Sequence, residues 1–119
     1  MKKLLIPSIF FVLLISFSFA QKPYKVVFYN LENFFDTIND PEVLDDEFTP
    51  DGPKKWNTAK YNKKLNNTER VLFDIAAIDK NYPIVIGVSE VETRGVLEDI
   101  VATPKLAPAN YRIAHFDSP

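Results

Sequence analysis

Two short apolar runs, each spilling into a cluster of carboxylates and carboxamides, limit what this chain can become more than any other feature. Val26-Val27-Phe28-Tyr29 leads into Asn30, Glu32, Asn33 and Asp36, and Ile84-Val85-Ile86-Gly87-Val88 leads into Ser89-Glu90-Val91-Glu92. Neither run alternates apolar with polar residues, which is the pattern of strands buried on both faces inside an α/β sheet. We therefore expect strands over residues 24–29 and 84–88, the first of them central, and an α/β fold class. In such sheets ligands collect beyond the carboxyl ends of the strands, where both polar clusters fall.

The sequence between the two runs supplies a crossover. Tyr61, Leu65, Thr68, Leu72, Ile75 and Ala76 recur at spacings of three and four, with Lys63, Asn66, Asn67 and Arg70 on other faces. That spacing predicts an amphipathic helix over residues 58–79, capped by Asn57 or Thr58 and ended by Asn81 and Pro83. Its apolar stripe should cover one face of the sheet. Before it, residues 36–51 carry seven acids and no base and are punctuated by Pro41, Pro50 and the Asp51-Gly52-Pro53 turn, so a solvated acidic loop is expected. The order of acids and Gly52 does not match the calcium loop of an EF-hand. Lys54, Lys55, Lys60, Lys63 and Lys64 follow with no acid among them. They either pair with the loop and face water or form a cationic rim for a phosphate-bearing substrate.

After the second run, Ser89 and Glu92 have the spacing of a capping box and Thr93 is a second candidate cap. A shorter helix with Val96, Leu97, Ile100 and Val101 on its apolar face should follow, broken by Pro104 and Pro108. Tyr111-Arg112-Ile113-Ala114-His115-Phe116 reads as a third strand, with His115 as one of its ordinary members.

Ahead of all this, Lys2 and Lys3 introduce a nearly unbroken apolar stretch over residues 4–19 that closes on Ser18-Phe19-Ala20. This is the build of a secretory signal peptide over residues 1–20, cleaved after Ala20. Pro7, Ser16 and Ser18 leave it short of the ~20 apolar residues a membrane span needs. The expected location is secreted or periplasmic, with no stable membrane association after cleavage. Without the leader, 12 bases face 16 acids, a net charge of −4, so there is no general attraction for nucleic acid or anionic lipid. No cysteine is present, which removes disulfides and lipid-modified cysteines from consideration.

Two kinds of chemistry fit the polar clusters. Glu90, presented at a strand end, suits Mg²⁺, a cation often held by one or two carboxylates plus substrate phosphate. Asn30 can offer its amide oxygen to a metal or its NH₂ group to a phosphate oxygen. In a purely architectural reading Asn30, Asn33 and Asp36 turn and cap the backbone, and Glu92 completes the capping box.

Phe28-Tyr29-Asn30-Leu31-Glu32-Asn33-Phe34-Phe35-Asp36 and Gly87-Val88-Ser89-Glu90-Val91-Glu92 resemble the opening motifs of the endonuclease/exonuclease/phosphatase superfamily, the DNase I-like fold. The resemblance spans residues 24–119 and departs at Ser89, where the family usually has Gln. It implies that residues 21–119 form the N-terminal half of a four-layered α/β/β/α sandwich. It further implies a catalytic pair of Asn30 near the scissile phosphate and Glu90 on the metal, with Asn30 as a second possible ligand. The implied cofactor is Mg²⁺, with Mn²⁺ or Ca²⁺ as alternatives, and the implied partner is a phosphate-ester substrate, nucleic acid included. The family's Asp-x-Asn motif and closing Asp-His pair have no counterpart here, and His115 falls too early to match. We therefore expect a truncated, inactive portion of a phosphodiesterase. The competing readings are a small secreted binding domain and a lipid or inositol phosphatase.

Overall fold

The computed structural model describes residues 23–116, so the expected signal peptide lies outside the described residues. Strand β1 (Val26–Phe34) and strand β2 (Val85–Val91) pair in parallel, joined by helix α1 (Thr58–Ala77), and helix α2 (Arg94–Ala102) follows. A parallel pair needs a long crossover connection, and α1 supplies it. Both strands run further than their apolar composition suggests, because the ladder is made by backbone groups and continues through Asn30 and Ser89. Among the described residues no helix is long and apolar enough to cross a membrane.

Each helix is stopped by identifiable chemistry. Asn57 Oδ1 accepts the Lys60 N–H at 3.1 Å at the start of α1. At its end Lys80 takes a left-handed φ of 58°, and the Asn81 N–H returns to the Ala76 carbonyl at 3.1 Å. The Lys25 ammonium reaches that end and donates to Ile75 O at 2.6 Å, Asn81 O at 3.2 Å and Asp79 Oδ1 at 2.6 Å. A cation there offsets the negative end of the helix dipole. Helix α2 is capped by Thr93, whose hydroxyl accepts from the Val96 N–H at 3.4 Å. The capping box expected from Ser89 and Glu92 does not form, because Ser89 stays in the ladder opposite Asn30 and the Glu92 carboxylate turns to another segment.

Both helices pack on one face of the sheet. Leu31 and Phe34 of β1, Tyr61 and Leu72 of α1, Val96 and Ile100 of α2, and Leu106 form the buried core, with Val27, Tyr29, Ile86 and Val88 against it. Tyr61 locks the helices together: its ring lies 5.2 Å from that of Phe34, and its hydroxyl donates to Asp99 Oδ2 at 2.6 Å. Burial, followed by that bond, pushes the phenol upward from its usual range. The opposite face is open, with Val26 67%, Phe28 74% and Val85 51% exposed. The expectation of strands buried on both faces is therefore corrected, since one helical layer covers only one side of a two-stranded sheet.

The expected third strand is also corrected. Tyr111–Phe116 alternates between half-buried and exposed residues, but it joins no ladder. Residues of both segments, Ile84–Val88 and Tyr111–His115, line a common apolar groove of about 410 Å³. The Tyr111 hydroxyl spans to the Pro83 carbonyl at 2.8 Å.

The acidic loop is anchored rather than simply solvated. Phe35 and Phe48 stack at 4.2 Å, and Trp56 Nε1 donates to Phe35 O at 2.9 Å. The Asp45 side chain is buried and accepts from the Asp40 N–H at 3.0 Å, while Glu92 Oε2 accepts from the Asp36 N–H at 2.7 Å. Burial, reinforced by the charges of Asp36 and Asp45 and by contact with the Asp45 carboxyl, pushes Glu92 up to about 7 against the pull of that N–H. A proton on Glu92 gives Asp45 a donor, and Asp45 Oδ1 is otherwise buried without a partner.

Truncating the core at Phe34→Ala should cost ~3–5 kcal/mol, read from the shift of a urea unfolding curve. Because Glu92 holds its proton more tightly folded than unfolded, its stabilising contribution is full below about 4.5 and is lost as pH rises through about 7. Glu92→Gln, which keeps a donor toward Asp45, should remove that part of the decline. The check is the difference in unfolding midpoint between the two proteins at pH 5 and pH 8.

Candidate functional site

The site is made by a mismatch between the two strands. In-step pairing ends at Asn30↔Ser89 and resumes at Phe34↔Val91, so β1 uses four steps where β2 uses two. Glu32 and Asn33 absorb the excess at φ values of 54° and 59°, and Glu90 across from them sits at 57°. All three are in the left-handed region, which costs an L-residue ~1–2 kcal/mol, less for Asn. Such strain concentrates where a fold presents groups to a ligand.

The two residues singled out in the sequence meet here, 60 positions apart. Asn30 Nδ2 donates to Glu90 Oε1 at 2.8 Å, and Asn30 Oδ1 accepts from the Glu32 N–H at 2.7 Å. With the oxygen on a backbone donor and the NH₂ group on a carboxylate, the amide orientation is settled by its partners. Both side chains are exposed at the carboxyl end of the parallel pair. Glu90 is the stronger oxygen donor for a cation, since a carboxylate has two oxygens that share a negative charge whereas the Asn30 amide offers one neutral oxygen. Among the described residues no cluster of three or more acidic, histidine or cysteine side chains could hold a metal ion. One exposed carboxylate beside a carboxamide still suits an ion that keeps most of its waters and shares substrate phosphate.

The rest of the polar cluster is divided up. Asp36 Oδ1 accepts from the Ile38 N–H at 2.7 Å in a local turn, and Glu92 anchors the acidic loop, so neither faces Asn30. His115 lines the groove beside β2.

One site neighbour was visible in the sequence only as a member of the lysine run. Lys64 is the half-buried member of that run, its companions being exposed. Its ammonium donates to Glu32 O at 2.6 Å and Asn33 O at 3.3 Å, and lies 5.4 Å from the Phe34 ring and 5.6 Å from the Trp56 ring. Burial lowers its pKa, opposed by the charges of Glu32 and Glu90. The signal that could have found it is helical spacing: Lys64 stands three residues after buried Tyr61 and four before buried Thr68. The other lysines behave as a solvated run, with Lys54 3.9 Å from Glu47 and Lys60 bonded to the Lys54 carbonyl at 2.6 Å.

Because position 33 is left-handed, Asn33→Val should lower stability by more than ~1 kcal/mol, whereas Asn33→Gly should stay within about that amount of the parent. Urea unfolding of the three proteins side by side is the check.

A family model described as endonuclease/exonuclease/phosphatase family matches residues 25–119. No curated protein and no solved structure gives a match.

Proposed function

The chain belongs to the endonuclease/exonuclease/phosphatase family, and on that premise we propose that it carries the metal- and phosphate-holding part of a secreted, Mg²⁺-dependent phosphodiesterase. The family is one of phosphoesterases and nuclease-like enzymes that generally depend on a metal ion. The observation that carries the reading is the 2.8 Å contact of Asn30 with Glu90 at the shared carboxyl end of β1 and β2.

In this reading Glu90 holds Mg²⁺, with Mn²⁺ or Ca²⁺ as substitutes. When bound, the ion polarises a phosphoryl oxygen and offsets the charge developing on it. Asn30 spends one N–H on Glu90, which leaves its second for a phosphate oxygen. The exposed carboxylates of Glu32 and Glu90 would repel an incoming phosphodiester unless a cation stood between. That electrostatic argument favours metal dependence without reference to the family. Nucleic acid fits as a substrate through the same local chemistry.

Three further parts of the proposal rest on features away from the site. Lys2, Lys3 and the apolar stretch closing on Ala20 support secretion with removal of the leader. The open apolar face of Val26, Phe28 and Val85 is where the second sheet of a four-layered sandwich would pack. The Asp-His pair that activates water in the family has no counterpart in residues 1–119, so no turnover is expected from these residues alone.

Titrating Mg²⁺ into the chain should shift the amide resonances around Glu90 and the side-chain NH₂ of Asn30, and Glu90→Gln should abolish both shifts. No hydrolysis of bis(p-nitrophenyl) phosphate should accompany binding. An absence of Mg²⁺ shifts in the parent chain would overturn the metal assignment. Hydrolysis that Glu90→Ala abolishes would overturn the expectation that these residues alone give no turnover.

A further inference from the structure

We propose that Lys64 is a positioning residue of the site, holding the left-handed turn at Glu32 and Asn33 that presents Asn30 to Glu90. The inference rests on the reading of Asn30 and Glu90 as the phosphate and metal residues and adds the residue that sets their geometry.

The contacts form a continuous relay. The Lys64 ammonium donates to the carbonyls of Glu32 and Asn33 at 2.6 and 3.3 Å, which belong to the two consecutive residues with φ of 54° and 59°. The N–H of Glu32, on the same residue as the nearer carbonyl, donates to Asn30 Oδ1 at 2.7 Å, and Asn30 Nδ2 donates to Glu90 Oε1 at 2.8 Å. Ammonium, peptide, carboxamide and carboxylate are thus linked in series, from the side of α1 to the end of β2.

Lys64 suits this task for three physical reasons. A left-handed pair of ordinary residues does not persist unless its surroundings hold it. Charge-assisted bonds to the two carbonyls are stronger than neutral ones and act at the strained residues themselves. The faces of Phe34 and Trp56, 5.4 and 5.6 Å from the ammonium, hold it in place through cation–π attraction, and one of those rings belongs to the buried core. The turn is thereby referenced to the rigid part of the fold rather than to the exposed loop. A side chain without a donor at position 64 could pack against the rings but could not hold the carbonyls.

The test is the side-chain NH₂ signal of Asn30 in the metal-free chain, measured by NMR in the parent and three variants. Lys64→Met should move this signal to the position of a carboxamide bonded only to water while the backbone amides of α1 and α2 keep their dispersion. Lys64→Arg, which retains a donor, should bring it back part of the way. Lys64→Met combined with Asn33→Gly should also recover it, because glycine adopts the left-handed conformation unaided. Recovery in the double variant separates holding the turn from filling space, since a packing defect at position 64 is not repaired by glycine at position 33. An unchanged Asn30 signal in folded Lys64→Met overturns the proposal, as does failure of both Lys64→Met and the double variant to fold. Mg²⁺ titration of the parent reports separately on the metal reading. A Lys64-dependent Asn30 signal in a chain that ignores Mg²⁺ would leave the positioning role standing and the metal assignment overturned.

Discussion

The structure depends on the parallel pairing of β1 with β2 and on the two extra residues that β1 carries near its end. Parallel pairing brings both carboxyl ends to the same edge, which an antiparallel hairpin would not do. The excess in β1 then forces a turn that ends with Asn30 beside Glu90 and Phe34 back in the core. Phe34, fully buried and contacting Tyr61, fixes where the turn must return to the ladder. Site and core are therefore joined through the same few residues, so strain at Glu32 and Asn33 is held by packing at Phe34 as well as by Lys64.

Charge is distributed so that most acids serve the scaffold. Asp45, Glu92 and Asp36 knit the loop after β1 to the end of β2, and Glu92, pushed up to about 7, takes a proton more readily than an exposed carboxyl. That proton relieves repulsion within a crowded group of carboxylates. Glu32 and Glu90 remain exposed at the site, with the Lys64 ammonium as their near counter-charge. Carboxylates and one half-buried ammonium therefore stand together at the carboxyl ends of the two strands.

The helices were the most legible part of the chain. Their apolar spacing and caps, Asn57 and Thr93, are local properties, and a helix satisfies its hydrogen bonds within its own segment. Strand extents were less legible, because a ladder is completed by a partner about sixty residues away and tolerates polar side chains such as Asn30 and Ser89. The Ser89–Glu92 capping pattern misled for the same reason: sheet pairing claimed Ser89, and the loop anchor claimed Glu92. Tyr111–Phe116 has the alternation of a strand but faces a groove instead of a paired edge.

By itself the sequence determined the α/β class, the crossover helix with its caps, and the placement of Asn30 and Glu90 in polar clusters just after two apolar runs. These follow from residue types and short-range spacing, which act wherever the segment ends up. Only the tertiary structure decided that the two side chains touch, that three residues at the site are left-handed, and that Lys64 leaves its run of exposed neighbours to bond the turn. Each of these depends on register between strands and on how one face of a helix meets the end of a sheet. Such relations are set by long-range packing: local spacing places Lys64 on the inward side of its helix but does not say what it meets there.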